Sequence, residues 1–450
     1  MAQQLFGTDG VRGKANIDLT AEMAMGLARA AGDGRQGIVV IGRDTRRSGQ
    51  MLASAVQAGF NAAGIDTVDL GILPVGGVAF HTRATNATYG VMVSASHNPA
   101  EDNGIKFFGA DGAKLDDDRE RAIEARYRHG GPGTEVSGEA IGIQVPMSDA
   151  LDRYVDHLAA QADFRLSGLG VALDCAHGAA FLAAPRLFTV LGASVEAVNV
   201  DPTGTNINDG CGAVHPQMLA GVSAGRIGLA FDGDADRCIA VDEDGEVCNG
   251  DVIMAVLARH LRDRGELPGD RVVTTVMSNI GFRMAMRKMA LDVVETPVGD
   301  RYVLEEMRRL GAGLGGEQSG HVLFRDRSTG DGLLTGLRLL EVVAATGTPL
   351  KELRRVIVEY PQVLRSVHVR VKERLAEADA IWSTVARMEK RLGADGRVLV
   401  RASGTEAVVR VMVEAKESHE AAAIADDLVI VVRRELGEIS EGDRYPETDN

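Results

Sequence analysis

The sequence predicts three α/β domains with mixed sheets followed by a smaller α+β C-terminal domain, arranged around one central cleft. Three observations carry that expectation. The chain has 450 residues, too many for one ordinary core when domains hold roughly 100 to 200 residues each. Helical patterns alternate with short β-branched runs along most of it, and the pattern changes near the end. Four loops dense in glycine and polar residues, SASHNP, DGDADR, GEQSGH and RASGTE, fall one to each expected domain. Chemistry tends to sit on loops held by rigid scaffolds, so one loop per domain points to one shared cleft.

Taken in order, AEMAMGLARAAG and SGQMLASAVQAGFNAAG read as helices alternating with the strands GIVVIGRD and DTVDLG, which defines a first domain over 1–148. The glycine-rich stretch HGGPGTEVSGEAIG marks its end. SDALDRYVDHLAAQAD opens a second domain over 149–250, in which GVALDCAHG, SVEAVNV and IGLAFDGD read as strands. The pattern restarts with DVIMAVLARHLRDRG and gives a third domain over 251–362. Over 363–450, VHVRV, a helix around Trp382, GRVLVRAS, VVRVMVEAK and a final helix form the α+β unit.

Composition narrows the function. Lys plus Arg number 49 against 64 Asp plus Glu, a net charge of −15, so the chain repels the phosphate backbone and nucleic acid is not an expected partner. An anionic substrate must be caught by a local cluster of cationic side chains, helped by a bound metal ion. The four cysteines form no C-x-x-C pair and read as reduced thiols of a cytoplasmic protein. No apolar run approaches the roughly 18 residues of a membrane helix, and no export signal is expected, so neither is a membrane partner.

Asp232, Asp234 and Asp236 are spaced two apart after an apolar strand and can converge on one hard cation. The alternative is a solvated acidic turn, against which the apolar flanks IGLAF and CIAV argue. A calcium EF-hand would place its bidentate ligand at Glu243, but Arg237 stands where the glycine is needed and a strand and hairpin follow. Magnesium fits better. Ser96 follows the strand GVMV and precedes Asn98-Pro99, so its hydroxyl can face a cleft, although by themselves these residues read first as a plain strand-end turn. His97 does not turn it into a serine hydrolase, because G-x-S-x-G is missing and neighbours on an extended chain point apart. Arg401, Ser403, Gly404, Thr405 and Arg410 combine guanidinium groups, hydroxyls and an approachable backbone, which suits phosphate, with a hairpin turn as the alternative. GAGLGG follows a helical pattern rather than a strand, so a dinucleotide site is not expected.

Together, FGTDGVRG, SASHNP, NGIKFF, DGDADR, GEQSGH and RASGTE, in this order and over essentially the whole chain, resemble the α-D-phosphohexomutase superfamily. Within it, FGTDGVRG, GTNINDGCGAVHP and Gln318 are similar to the bacterial branch that acts on glucosamine phosphates. The resemblance implies a phosphoserine at Ser96, with one Mg²⁺ bound by Asp232, Asp234, Asp236 and the Ser96 phosphate. It implies Glu317 and Ser319 on sugar hydroxyls, and Arg401, Ser403, Gly404, Thr405 and Arg410 on the non-reacting phosphate. Arg12, Lys106 and Arg237 are implied near the transferring phosphate, with Lys106 and His321 as candidates for proton transfer. It further implies a phosphorylated amino sugar as substrate, a bisphosphorylated sugar as intermediate or activator, and a product that feeds UDP-N-acetylglucosamine and cell-wall precursors. It allows a homodimer, and keeping water from the phosphoserine and the bisphosphate calls for a C-terminal domain that moves on a hinge near residue 362. The alternatives are the same chemistry on glucose or mannose phosphates, a metal-dependent sugar phosphatase, and a noncatalytic sugar-phosphate sensor. The chain departs from the family at Ala402 and Ala407, where prolines are usual, which loosens the last loop.

Overall fold

The computed structural model describes residues 4–7, 9–32, 34–130, 136–403 and 407–437. They form four sheets in two compact units, one of 1–277 with 286–356 and one of 278–285 with 357–450.

In the first unit, β1 (Val11–Lys14), β2 (Ile38–Arg43), β3 (Asp66–Ile72), β4 (Tyr89–Val93), β5 (Asp102–Gly109) and β6 (Gln144–Pro146) make a sheet ordered β1-β5-β4-β2-β3-β6. β2 pairs parallel with β3 and β4, while β5 pairs antiparallel with β4 and β1, so the sheet is mixed. β4 is buried along its whole length, as its uninterrupted apolar run requires. The two helices read from the sequence occupy Ala21–Gly32 and Gly49–Ala62 and share a core with Val39, Val91 and Phe107. They touch at Gly59, where a Cβ would stand 2.3 Å from the Met25 carbonyl oxygen.

A second sheet joins β7 (Gly170–Asp174), β8 (Ser194–Val198), β9 (Ile227–Phe231), β10 (Cys238–Val241) and β11 (Val247–Cys248) in the order β11-β10-β9-β7-β8. β9, β10 and β11 are antiparallel, and the acidic loop is the turn from β9 to β10. This is the strand and hairpin expected in place of an EF-hand. Glu243 has a different task, accepting from the backbone nitrogens of Leu350 and Lys351, both at 2.8 Å, and so capping the helix Leu350–Leu353.

The third sheet contains β12 (Arg271–Thr275), β13 (Asp292–Thr296), β14 (Leu314–Gly316) and β15 (Val322–Phe324), ordered β13-β12-β14-β15. GAGLGG runs from the end of the helix Asp300–Leu310 into β14, whose residues are its last three, and GEQSGH carries the turn from β14 to β15. Among the described residues no single helix is long and apolar enough to cross a membrane. The four cysteines are buried free thiols, and burial pushes the Cys211 thiol up to about 12.

In the second unit, β16 (Gln362–His368), β17 (Arg397–Ala402) and β18 (Val408–Glu414) form an antiparallel sheet ordered β16-β18-β17. Ile381 and Val385 of the helix Asp379–Leu392, with Leu428 and Val432 of Ser418–Leu436, build its core against Val367, Val409 and Val411. The segment 278–285 joins this unit because Ile280 N donates to Glu414 at 3.0 Å and Asn279 Nδ2 donates to the Tyr360 carbonyl at 2.9 Å.

Candidate active site

After β4 the chain turns sharply, and Ser96 adopts a left-handed backbone, φ 52°. Its amide donates to Ser94 Oγ at 2.9 Å, and its hydroxyl, 1% exposed as a residue, donates to Asp232 Oδ2 at 2.5 Å. The expectation that Ser96 and His97 point apart assumed an extended chain and is corrected here. The left-handed turn leaves His97 Nδ1 3.4 Å from the Ser96 hydroxyl. Burial, reinforced by Arg237 and Arg12, lowers the His97 imidazole to about 4, so the ring is neutral.

One oxygen from each of Asp232, Asp234 and Asp236 lies within 4.8 Å of the others, and all three residues are buried. Backbone bonds pin the loop: Val75 N donates to Asp234 O at 3.0 Å and Gly332 N to Ala235 O at 2.9 Å. Gly233 is required, because a Cβ there would stand 2.4 Å from the Ser96 carbonyl oxygen. Burial, with repulsion from Asp236 and Asp234, pushes the Asp232 carboxyl up to about 8. Oδ1 of Asp234 and of Asp236 is buried without a hydrogen-bond partner. Converging carboxylates with orphaned oxygens are the donor set of a hard divalent cation, so these residues fit a metal ion.

Cations surround the cluster. Lys106, 1% exposed, donates to Asp234 at 2.8 Å and also lies 2.9 Å from Asp9 and 3.7 Å from Asp236. Burial opposes its charge, but Asp234 and Asp9 outweigh that and raise its pKa. Arg12 pairs with Asp9 and donates to Asn98 Oδ1 at 3.2 Å. Arg237 N donates to Asp232 at 3.2 Å, and its Nε lies 3.8 Å from Asp236. His321 sits between Asp236, at 3.6 Å, and Asp300, at 3.3 Å. Burial alone would lower the His321 pKa, but these carboxylates push it up to about 9. Glu317 accepts from Gly299 N at 3.1 Å and from the Ser319 hydroxyl at 3.4 Å. Cys238 N donates to Gly320 O at 3.0 Å, which ties this turn to the acidic loop.

The first unit therefore gathers Ser96, Arg12, Lys106, the three aspartates, Arg237 and His321, with Glu317 and Ser319 on the adjoining turn. In the second unit, Arg401 and Arg410 lie opposite each other across β17 and β18. Ser403 N donates to Val408 O at 2.8 Å, and Lys372 donates to the Ser403 carbonyl at 2.8 Å. Gly404 and Thr405 lie outside the described residues. Sequence reasoning missed Asp9, Lys114 and Asp300. Lys114 pairs with Asp9 and with Asp300 at 2.7 Å, linking the Lys106 and His321 ends of the site. Their signal was faint, since Asp9 was visible only as part of FGTDG and the other two sit in no motif.

Family models described as phosphoglucomutase/phosphomannomutase, alpha/beta/alpha domains I, II and III, match residues 3–132, 152–245 and 249–360, and the C-terminal domain model matches 367–431. A phosphoglucosamine mutase of Mycolicibacterium vanbaalenii is 51% identical, over 94% of this chain and 97% of the relative. One from Rhodococcus opacus is 50% identical, over 94% and 98%. Among solved structures, a phosphoglucomutase/phosphomannomutase family protein from Burkholderia thailandensis superposes with a TM-score of 0.80 at 26% identity, covering 98% of this chain and 99% of that one. The N-acetylphosphoglucosamine mutase of Aspergillus fumigatus shares the fold, with a TM-score of 0.68 at 20% identity over 96% of both chains. The four-domain match, the identity over nearly the full length and the phosphohexomutase fold agree: the chain belongs to the phosphoglucosamine mutases of the phosphoglucomutase/phosphomannomutase family.

Proposed function

We propose that the chain interconverts glucosamine 6-phosphate and glucosamine 1-phosphate, using Ser96 as the phosphoryl carrier. The observation that carries this reading is the Ser96 hydroxyl bonded at 2.5 Å to Asp232 within the buried acidic cluster, in a chain 51% identical to a phosphoglucosamine mutase. The phosphoserine P–O bond breaks as a bond forms to the free hydroxyl of the sugar monophosphate, giving a bisphosphorylated sugar and the Ser96 hydroxyl. The sugar turns over, and its other phosphoryl group returns to Ser96. A magnesium ion bound by Asp232, Asp234, Asp236 and the Ser96 phosphate would supply positive charge against the phosphoryl oxygens.

Arg12 and Arg237 would lie near the transferring phosphate, and Lys106 and His321 are the groups proposed to move the proton between sugar and Ser96. Glu317 and Ser319 take the sugar hydroxyls. Arg401, Ser403, Gly404, Thr405 and Arg410 take the phosphate that does not react, by charge-assisted hydrogen bonds. The segments 1–148, 149–250, 251–362 and 363–450 would each supply one of these loops. The buried free thiols fit a reducing compartment, the cytoplasm. A panel of the 6-phosphates of glucosamine, glucose, mannose and N-acetylglucosamine, with intact-mass measurement of Ser96 phosphorylation, tests the reading. Faster turnover of glucose or mannose 6-phosphate would reassign the substrate, and stoichiometric phosphate release would replace the mutase with a phosphatase.

A further inference from the structure

The turn that carries Ser96 is held by two side chains that have no part in the chemistry above. Arg46, 3% exposed, sends its guanidinium under the turn. It donates to the carbonyls of Ser96 at 3.0 Å, Asn98 at 2.8 Å and Asp102 at 3.0 Å, and to that of Pro99. Asp44 fixes Arg46 in turn, accepting from its Nε at 2.9 Å and from the Ser94 hydroxyl at 2.6 Å. From the region of the second sheet, Asn208, 7% exposed, donates its side-chain amide to Ser96 O at 2.9 Å and Asn98 O at 3.1 Å.

Asn208 belongs to GTNINDGCGAVHP, a run the proposed chemistry leaves unused. The run is itself a braced loop. Asn206 donates to Asp201 O at 3.0 Å and accepts from Thr203 N at 2.8 Å, Asn208 N donates to Ala176 O at 3.0 Å, and Gly212 N donates to Asp174 at 2.7 Å. The Ser96 carbonyl therefore receives one donor from each of two sheet regions, with Gly233 packed against it.

We propose that Arg46 and Asn208 are positioning residues for phosphoryl transfer, clamping the Ser96 turn so that its oxygen stays aimed at the acidic cluster. The inference rests on Ser96 being the phosphoryl carrier. A left-handed serine is disfavoured against extended conformations and persists only where its surroundings hold it. Released from the clamp, the turn relaxes and the oxygen leaves its line of transfer.

The test uses the full chain and the variants Asn208→Ala, Asn208→Asp and Arg46→Lys, with glucosamine 6-phosphate as substrate. Turnover is normalised to the folded, Ser96-phosphorylated fraction measured by thermal melt and intact mass. Displacement of a reacting group by about 1 Å costs up to about 100-fold, so kcat falls about 10-fold in Asn208→Ala and about 100-fold in the other two, with KM within about threefold. Asn208→Asp is worse than the alanine because it sets a carboxylate oxygen against carbonyl oxygens. Hydrogen exchange across 95–103 also quickens. If the variants lose only melting temperature or yield while normalised kcat holds within about twofold, the residues are merely structural and the inference is overturned. Ser96→Ala separates the two readings: an active Ser96→Ala protein removes the carrier, whereas an inactive one beside unaffected clamp variants removes the clamp alone.

Discussion

The loops at Ser96 and Asp232 in the first unit and the arginines of β17 and β18 in the second are both proposed to meet phosphate, yet their charges are arranged in opposite ways. Around Ser96 the three aspartates and Lys106 are buried and the cations are already paired: Lys106 rests on Asp234 and Asp9, and Arg12 on Asp9. In the second unit Arg401 and Arg410 stand opposite each other, and burial together with the charge of Arg410 lowers the Arg401 pKa. These two strands set like charges opposite each other, and a bound anion would offset their repulsion. The first arrangement is preorganised for changing charge, and the second, on the proposed reading, would gain its energy from substrate. Damage to the first should fall on kcat and damage to the second on KM.

The sharpest break is Ser96→Ala, which should lower turnover of glucosamine 6-phosphate by at least about 10,000-fold, since no other group takes over a lost nucleophile. Full activity by product-release assay would remove Ser96 from the mechanism. Asp234→Asn takes one carboxylate from the cluster and should cost about 100- to 1,000-fold in kcat. Calorimetric titration with Mg²⁺ should show weakened binding in the same variant, and unchanged binding would move the metal elsewhere. Arg401→Ala should raise KM by about 10- to 100-fold, the value of one or two charge-assisted hydrogen bonds, while kcat stays within about threefold. A kcat effect as large as that of Asp234→Asn would erase the contrast between the two loops. The smallest change is Ala402→Pro with Ala407→Pro, which should lower KM about two- to fivefold by stiffening the loop. The fold can accept it at Ala402. Ser403 N donates to Val408 O, so on the edge strand β17 the Ala402 N–H points away from β18, where proline is tolerated.

Much of this was legible because it was local. GVMV, IGLAF and CIAV became buried strands, and the amphipathic runs became the helices Ala21–Gly32, Gly49–Ala62 and Gly250–Asp263. The acidic triplet was readable since its three members share one turn. What stayed hidden depends on pairing across long separations. Lys106 gains its meaning from Asp9 and Asp234, and Arg46 from carbonyls 50 to 56 positions later. The membership of 278–285 in the second unit rests on Glu414 and Tyr360, beyond any boundary drawn in sequence order. The left-handed turn at Ser96 went unseen because such a backbone is imposed by Arg46, Asn208 and Gly233, not by the serine.

The buried cysteines have a practical consequence for spectroscopy. Cys175, Cys211, Cys238 and Cys248 are all shut away from solvent, and burial raises the pKa of the Cys175, Cys211 and Cys238 thiols, which keeps them protonated at neutral pH. Thiolates, not thiols, react with maleimides, so the native chain is close to dark toward such dyes. A single cysteine placed at Ile430, 63% exposed on the outer face of the last helix, becomes a clean attachment point for a fluorophore or spin label. Whether the label responds to added glucosamine 6-phosphate can then be followed in real time without first stripping the protein of its own sulfur.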